Sequence, residues 1–391
     1  MKVLFLPSWY PTKIDQITGI FILRHAKAIA LKHQVNVAFA KRNDAQNEVF
    51  ATEQNKEGNL HQHICFYKGS NIPVFGPFLN FYRYLRAWNK AIYTALVTHH
   101  PDMIHINVVW PVGLIYLVTK KLHRLPMHIT EHWSGYLEAD GAFKQQLINR
   151  WISRKVFRKA FSVSVVSKPN LEAIIKHGLH QKVLLITNVV DSIFRFEEIE
   201  KPKKLTFLHV SSLVEREKNI RAMLFAFELF SRKNKTKAKL IIVGGENRFD
   251  DYRDEIKRMI ALDIEIEYRG NLPATEVAKL MHLSHALLLP SHFEGQPVVV
   301  LEALSCGLPV IASATGAIPD CVNDENGILM EKNDTMHIFE SMNTFYSRFK
   351  DFDRKKIAQE AHKLYAPERI AMQFDSIYQE MYQNPKWKAA L

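Results

Sequence analysis

Short apolar runs alternate with longer amphipathic stretches along almost the whole of this 391-residue chain. Few architectures accept that alternation. An apolar run with no polar residue at every second position fits a strand covered on both faces, as in a parallel sheet. The amphipathic stretches between such runs are then the helices that cover it. In the first half the runs fall at 2–6, 35–39, 103–107, 127–131, 162–166 and 183–186, and 19–31 reads as the helix after the first strand's loop. A charged stretch at 195–204 breaks the series, and a second begins at 205–210, 239–243, 264–268, 286–289 and 309–312. The chain is therefore expected to form two doubly wound α/β domains, 1–195 and 196–366, with a cleft between them. An amphipathic helix at 367–382 opens the last segment, 367–391. Ligands of such sheets gather at the carboxyl ends of the strands.

The stretch Glu294-Gly-Gln296-Pro297-Val298-Val299-Val300-Leu301-Glu302 is the most informative single segment. Pro297 suits the first position of a helix, because its fixed φ fits and its missing N–H would have no partner there. Gly307 and Pro309 supply the stop, so a helix over 297–306 is expected. Such a helix aims the amides of Val298 and Val299, with the positive end of its dipole, at whatever lies above the sheet edge. Glu294 stands at the mouth of this helix and Glu302 one and a half turns inside, roughly 7 Å along the axis, among apolar neighbours, where a carboxylate needs hydrogen-bond donors. A phosphate at the amide end, with a sugar hydroxyl on either side to satisfy the two acids, accounts for the layout of a nucleotide-sugar site.

Composition narrows the classes. The content is that of an ordinary globular protein, 47% hydrophobic and 24% charged. Cys65, Cys306 and Cys321 are too few and too scattered for a disulfide framework or a zinc cluster, which points to a reducing compartment. The apolar stretch after Lys2 is cut short at Pro7, as in a buried strand rather than a signal peptide, and no run reaches the ~20 apolar residues that span a bilayer. The expected location is the cytoplasm. Residues 1–195 hold 25 Lys/Arg against 11 Asp/Glu, and 196–391 hold 27 against 29, so the whole +12 excess sits in the first half. There Arg83, Arg86 and Lys90 interleave with Phe78, Phe81, Tyr82, Tyr84 and Trp88, and Arg154, Lys155, Arg158 and Lys159 follow Trp151. Basic residues among large aromatics suit an anionic membrane surface at its inner face; the alternative is a solvated helix face with its aromatics in the core. No recognition-helix, zinc-finger or RNA-binding signature accompanies the charge, so nucleic acid is not expected.

Further segments fall into order around the two glutamates. They are Ser211-Ser212-Leu213 with Arg216 and Lys218-Asn219, Gly244-Gly245-Glu246, Tyr268-Arg-Gly270-Asn-Leu272, and Gly316-Ala-Ile-Pro-Asp320. In the first half stand Ser8-Trp-Tyr-Pro11, Thr18-Gly19, Thr130-Glu-His132-Trp-Ser-Gly135 and Asn188-Val-Val-Asp191. Together they resemble family 4 of the retaining glycosyltransferases, which have the GT-B architecture of two Rossmann-like domains facing across a cleft. The resemblance implies that Glu302 binds ribose hydroxyls and Glu294 those of the transferred sugar. It implies that Lys218 pairs with the diphosphate beside the amides of Val298 and Val299, with Gln296 and Pro297 in the same turn. Ser212 and Leu272 also fall in donor-binding segments. Gly19 would let the backbone approach the donor, His132 would lie beside the reacting carbon, and the last helix would return to the first domain. The implied co-substrate is a UDP- or GDP-sugar, the acceptor a saccharide or lipid-linked saccharide, and no metal is required. Two departures stand out. Ser211-Ser212-Leu213 replaces a Gly-Arg-Leu turn, leaving Arg216 as the substitute cation, and Asn188-Val-Val-Asp191 lacks a glycine in second place.

Competing motifs fare worse. His128-Ile-Thr-Glu131-His132 matches an inverted zinc-peptidase pattern, but that pattern needs a helix, and Pro126 with β-branched neighbours points to a strand. Asp351-Phe-Asp353 lies in a charged, helical stretch, and His61, His63, His99 and His100 read as surface histidines. An epimerase or hydrolase on the same frame, a two-lobed binding protein and a nicotinamide-dependent dehydrogenase are the other classes. No Gly-x-Gly-x-x-Gly follows a strand, which counts against the last.

Overall fold

Val3, Leu4, Phe5 and Leu6 are wholly buried because β1 (Lys2–Pro7) runs through the middle of an eight-stranded sheet in the computed structural model of the chain. The structure describes residues 1–138, 140–234, 238–245 and 248–385. The other strands of this sheet are β2 (Gln34–Arg42), β3 (Phe50–Glu57), β4 (Leu60–Tyr67), β5 (Met103–Asn107), β6 (Met127–Glu131), β7 (Ser162–Val165) and β8 (Val183–Leu185). Their order is β3-β4-β2-β1-β5-β6-β7-β8, parallel except where β3 pairs with β4. Order reverses between β1 and β5.

A second sheet holds β9 (Thr206–Val210), β10 (Lys239–Val243), β11 (Glu265–Tyr268), β12 (Ala286–Leu289), β13 (Val310–Ser313) and β14 (Gly327–Met330). It is parallel throughout, in the order β11-β10-β9-β12-β13-β14, so its reversal lies between β9 and β12. The chain divides into two units, one built from Met1–Val189 and the segment from Pro367, the other from Val190–Ala366. The first division thus falls before the charged stretch at 195–204. Each unit carries its own core.

Three strands escape the sequence pattern, each for its own reason. β3 (FATEQNKE) is a polar edge strand, β4 mixes histidines with Ile64 and Phe66, and β14 is a four-residue edge strand behind Asn326. The histidines of β4 correct a second expectation. His63 and His99 are buried rather than on the surface, and the His99 ring lies 4.6 Å from that of His61 and 5.3 Å from that of His63. A helix over Gly76–His99 covers them.

The last helix, Pro367–Gln383, belongs to the first unit. Ile370, Phe374, Ile377, Tyr378 and Met381 recur every three or four residues and sink into the first core. Tyr378 Oη bonds His105 Nδ1 at 2.6 Å, and the chain of contacts continues through Thr130, Ser164 and His128. His128 is therefore committed to Ser162 and Ser164 inside a strand. Asp353 is a helix cap that accepts from Lys356 N at 3.0 Å.

Candidate functional site

Order reversal in a parallel sheet opens a crevice at the carboxyl ends, because the two loops flanking it leave in opposite directions. In the second unit those loops follow β9 and β12. The first, 211–219, carries Lys218 on a short helix, Glu215–Lys218; the second, 290–297, carries Glu294. Lys218 Nζ and Glu294 Oε1 meet at 2.6 Å with both side chains largely buried, and Ser291 Oγ donates to the same oxygen at 2.6 Å. The loops are also tied through their backbones. His292 N donates to Glu217 O at 2.8 Å, and Asn219 Nδ2 to Asn333 O, whose own Nδ2 reaches Ser291 O.

The helix behind Glu294 spans Val298–Ser305, one residue shorter at each end than the expected 297–306. Pro297 is its N-cap, at φ −69° and ψ 112°, rather than its first helical residue. The consequence for the amides is unchanged. No side chain caps this end, and the N–H groups of Val298 and Val299 head the helix. Glu302 is buried one turn further in, and Gln296 is buried beside Pro297.

Two glycines fix this arrangement. Gly316, at φ +58°, sits so close to the Glu294 loop that a Cβ would lie 1.9 Å from Glu294 O, and Ala317 N donates to Gly295 O at 2.8 Å. Gly244, at φ +110°, would place a Cβ 1.9 Å from Ser211 O, so it lets the loop after β10 lie against the loop after β9. The hydroxyl of Tyr268 holds the carbonyls of Gly244 and Gly245, and Phe249 stacks on its ring. Asn333 carries no distinctive signal in the sequence, and Asn219 and Ser291, which stand there only as neighbours of Lys218 and Glu294, take their roles from the fold. Gly316 was visible as part of its turn, but not for what it touches.

Arg216 and Ser212 are exposed, and Leu272 is half-buried against the second core. Two positions on a helix are about 200° around its axis, so Arg216 leaves the short helix on the side away from Lys218. Its geometry in this structure does not bring it to Glu294 as Lys218 is brought. Glu246 lies outside the described residues.

The first-unit residues form a separate group. Gly19, at φ +79°, heads the helix Ile20–Ala30, and a Cβ there would stand 2.6 Å from the Trp9 carbonyl carbon. Its bare backbone is thus required by the chain itself. His132 follows β6 and is buried against Phe21 and His25, ring centroids 4.8 and 5.2 Å away. Neither ring nitrogen has a hydrogen-bond partner among the described residues. Burial, helped by His25, holds its pKa well below the ordinary range, so the ring is neutral at physiological pH. Glu131 next to it anchors the loop: its carboxylate accepts from the backbone N–H of Val109, His132 and Trp133 and from Tyr136 Oη, at 3.0 to 3.2 Å. Among the described residues no three His, Cys, Asp or Glu side chains are grouped to hold a metal ion.

Known proteins are similar to this chain in sequence and in fold. The family described as glycosyl transferases group 1 matches residues 191–363, and that described as glycosyltransferase family 4 matches 19–193. O-antigen chain mannosyltransferase B of Escherichia coli is 30% identical over 133 residues, 33% of this chain and 35% of its own length. The chain thus spans about a third of that relative. Sucrose-phosphate synthase from Thermosynechococcus elongatus superposes over 98% of this chain and 99% of its own, with a TM-score of 0.73 and 16% identity. The Anabaena protein HepE, solved in complex with UDP, covers 97% and 100% with a TM-score of 0.70 and 18% identity.

Proposed function

Because the chain belongs to the group 1 glycosyltransferases of the GT-B type, we propose that it moves a sugar from a nucleotide diphosphate to a saccharide or lipid-linked acceptor, retaining the anomeric configuration. The donor is a UDP- or GDP-sugar, the setting is cell-surface polysaccharide or glycolipid synthesis, and the work is done in the cytoplasm. The relative named as an O-antigen chain mannosyltransferase supports the polysaccharide part of this reading.

One observation carries it: an ammonium and a carboxylate, paired at 2.6 Å, on the two loops that flank the strand-order reversal, beside an uncapped helix start. Breaking a sugar–diphosphate bond builds negative charge on the leaving phosphate and positive charge at the anomeric carbon. Lys218 and the amides of Val298 and Val299 stabilise the former, and do so more strongly in a site that excludes water. Glu294, released from Lys218 when a phosphate takes that cation, accepts hydrogen bonds from hydroxyls of the transferred sugar. Glu302 takes the ribose hydroxyls. His132, kept neutral by burial, serves as a polar contact to the sugar rather than as a charged acid. The positive charge comes from Lys218 and the helix amides, so the reaction calls for no metal and no other cofactor.

Thermal unfolding in the presence of UDP-, GDP- and ADP-sugars tests the donor. A donor at a hundredfold its Kd adds about 2.7 kcal/mol to the stability of the folded state. Lys218→Ala and Glu294→Ala should each remove that shift and lower transfer by about a hundredfold or more while the protein stays folded. Undiminished transfer by both variants would discard this site.

A further inference from the structure

We propose that the first unit docks on an anionic phospholipid bilayer through two apolar clusters at the carboxyl edge of its sheet. The surface differs from the stripe suggested by the sequence. Trp88 is in the core, Tyr84 is half-buried, and Arg83 turns inward to bond the carbonyls of Lys68 and Gly69. What remains outside is compact. The loop before the helix Gly76–His99 and that helix's first turn present Val74 at 77% exposure, Phe75 at 71% and Phe78 at 74%, with Ile72, Phe81 and Tyr82 also exposed. The helix Leu147–Phe157 presents Ile148 at 70% and Trp151 at 59% on its first turns, beside exposed Leu147. Each helix runs back to the amino edge so that the next parallel strand can begin, and each therefore starts at the carboxyl edge. Both clusters lie on that one edge.

Two observations set this display apart from scattered surface apolar residues. The loop is held rather than loose: Arg83 clamps it, and Asn80 exchanges two hydrogen bonds with the backbone of Ser70, at 2.6 and 3.1 Å. Within it Val74 sits at φ +63°, a conformation that costs a β-branched residue energy and that glycine would adopt freely. At 77% exposure the valine buries little surface to offset that cost.

Charge then selects the occupant. No Asp or Glu occurs between Glu57 and Asp102 or between Asp140 and Glu172, whereas Arg86, Lys90, Lys144, Arg154, Lys155 and Arg158 all stand exposed there. Lys155 lies 5.8 Å over the Trp151 ring. Aromatics that enter the headgroup layer, with lysine and arginine around them, match a negatively charged leaflet, where each cation adds about fivefold to binding. No helix among the described residues is long and apolar enough to cross a membrane, so the contact is peripheral.

The test is flotation of the full chain with phosphatidylcholine vesicles, with and without phosphatidylglycerol, at low and high salt. Binding is expected only with phosphatidylglycerol, and to weaken as salt rises. Phe75→Ser with Phe78→Ser, and separately Arg154→Glu with Lys155→Glu, should each lower it by about tenfold or more. Phe225→Ser, an exposed phenylalanine of the second unit, should leave it unchanged. Equal thermal-unfolding midpoints would establish that the variants fold. Equal binding to neutral vesicles, no binding at all, or insensitivity to both double variants overturns the proposal. So does self-association of the wild type that Phe75→Ser with Phe78→Ser abolishes without any vesicle binding, which would make the clusters an interface between copies. Flotation needs neither donor nor acceptor, so its failure leaves the donor site untouched.

Discussion

Glu294 shows how a single residue's role depends on what fixes its backbone. Its carboxylate meets Lys218 and Ser291, but the position of the loop rests on Gly316, whose missing side chain lets two backbones approach. Gly316→Ala forces a methyl into the Glu294 carbonyl and occupies a positive φ, and neither neighbour is a side chain that can swing away. Transfer is expected to fall by about a hundredfold with far less change in melting temperature, and a loss confined to stability would count against the argument. Glu131 offers the opposite case, a residue of the same type whose work is structural. In Glu131→Gln the new amide nitrogen faces the N–H of Val109 or those of His132 and Trp133, donor against donor. A loss of about 2–4 kcal/mol in urea unfolding is expected, because a charge-assisted acceptor in a buried site is replaced by a repulsive contact.

Among elements, the helix Pro367–Gln383 is the one whose removal has the clearest consequence. It covers the first core although the chain reaches it only after building the second unit. A chain ending at Ala366 should therefore lose the cooperative unfolding of the first unit while the second keeps donor-induced stabilisation, readable as one surviving transition in calorimetry. Within the helix, Tyr378→Phe leaves His105 Nδ1 buried without its partner and should cost about 1–3 kcal/mol. The helix Val298–Ser305 was legible in the sequence to within a residue at each end, because proline and glycine act on the backbone locally. Strands β3, β4 and β14 were not legible. β3 is polar, β4 has histidines and a glutamine near its start, and β14 offers only three large apolar residues, so only the hydrogen-bond partner beside each one defines it.

For the molecule as a whole, neutral histidines sealed inside both cores set the response to acid. Burial pushes His25 and His209 down to about 4 and His128 to about 3. The unfolded chain takes up these protons near pH 6.5, so their contribution is complete above that value and is lost as the pH falls toward 4 and then 3. Each histidine adds a slope of up to about 1.4 kcal/mol per pH unit in that window, and urea midpoints measured from pH 7 to pH 4 should drop accordingly. A flat profile would mean that these rings are hydrated or already charged. What the amino-acid order determined by itself was everything carried by spacing along the backbone: two series of buried strands, the helix behind Glu294 with its free amide end, and the lysine at a strand-to-helix turn. Such signals act over three or four residues, and periodicity exposes them. Only the tertiary structure decided that Lys218 and Glu294, 76 residues apart, share one hydrogen bond. It also decided which aromatics of residues 72–88 face water. Those outcomes turn on strand order and on which element covers which face, and a chain's local pattern is the same whichever neighbour it finds.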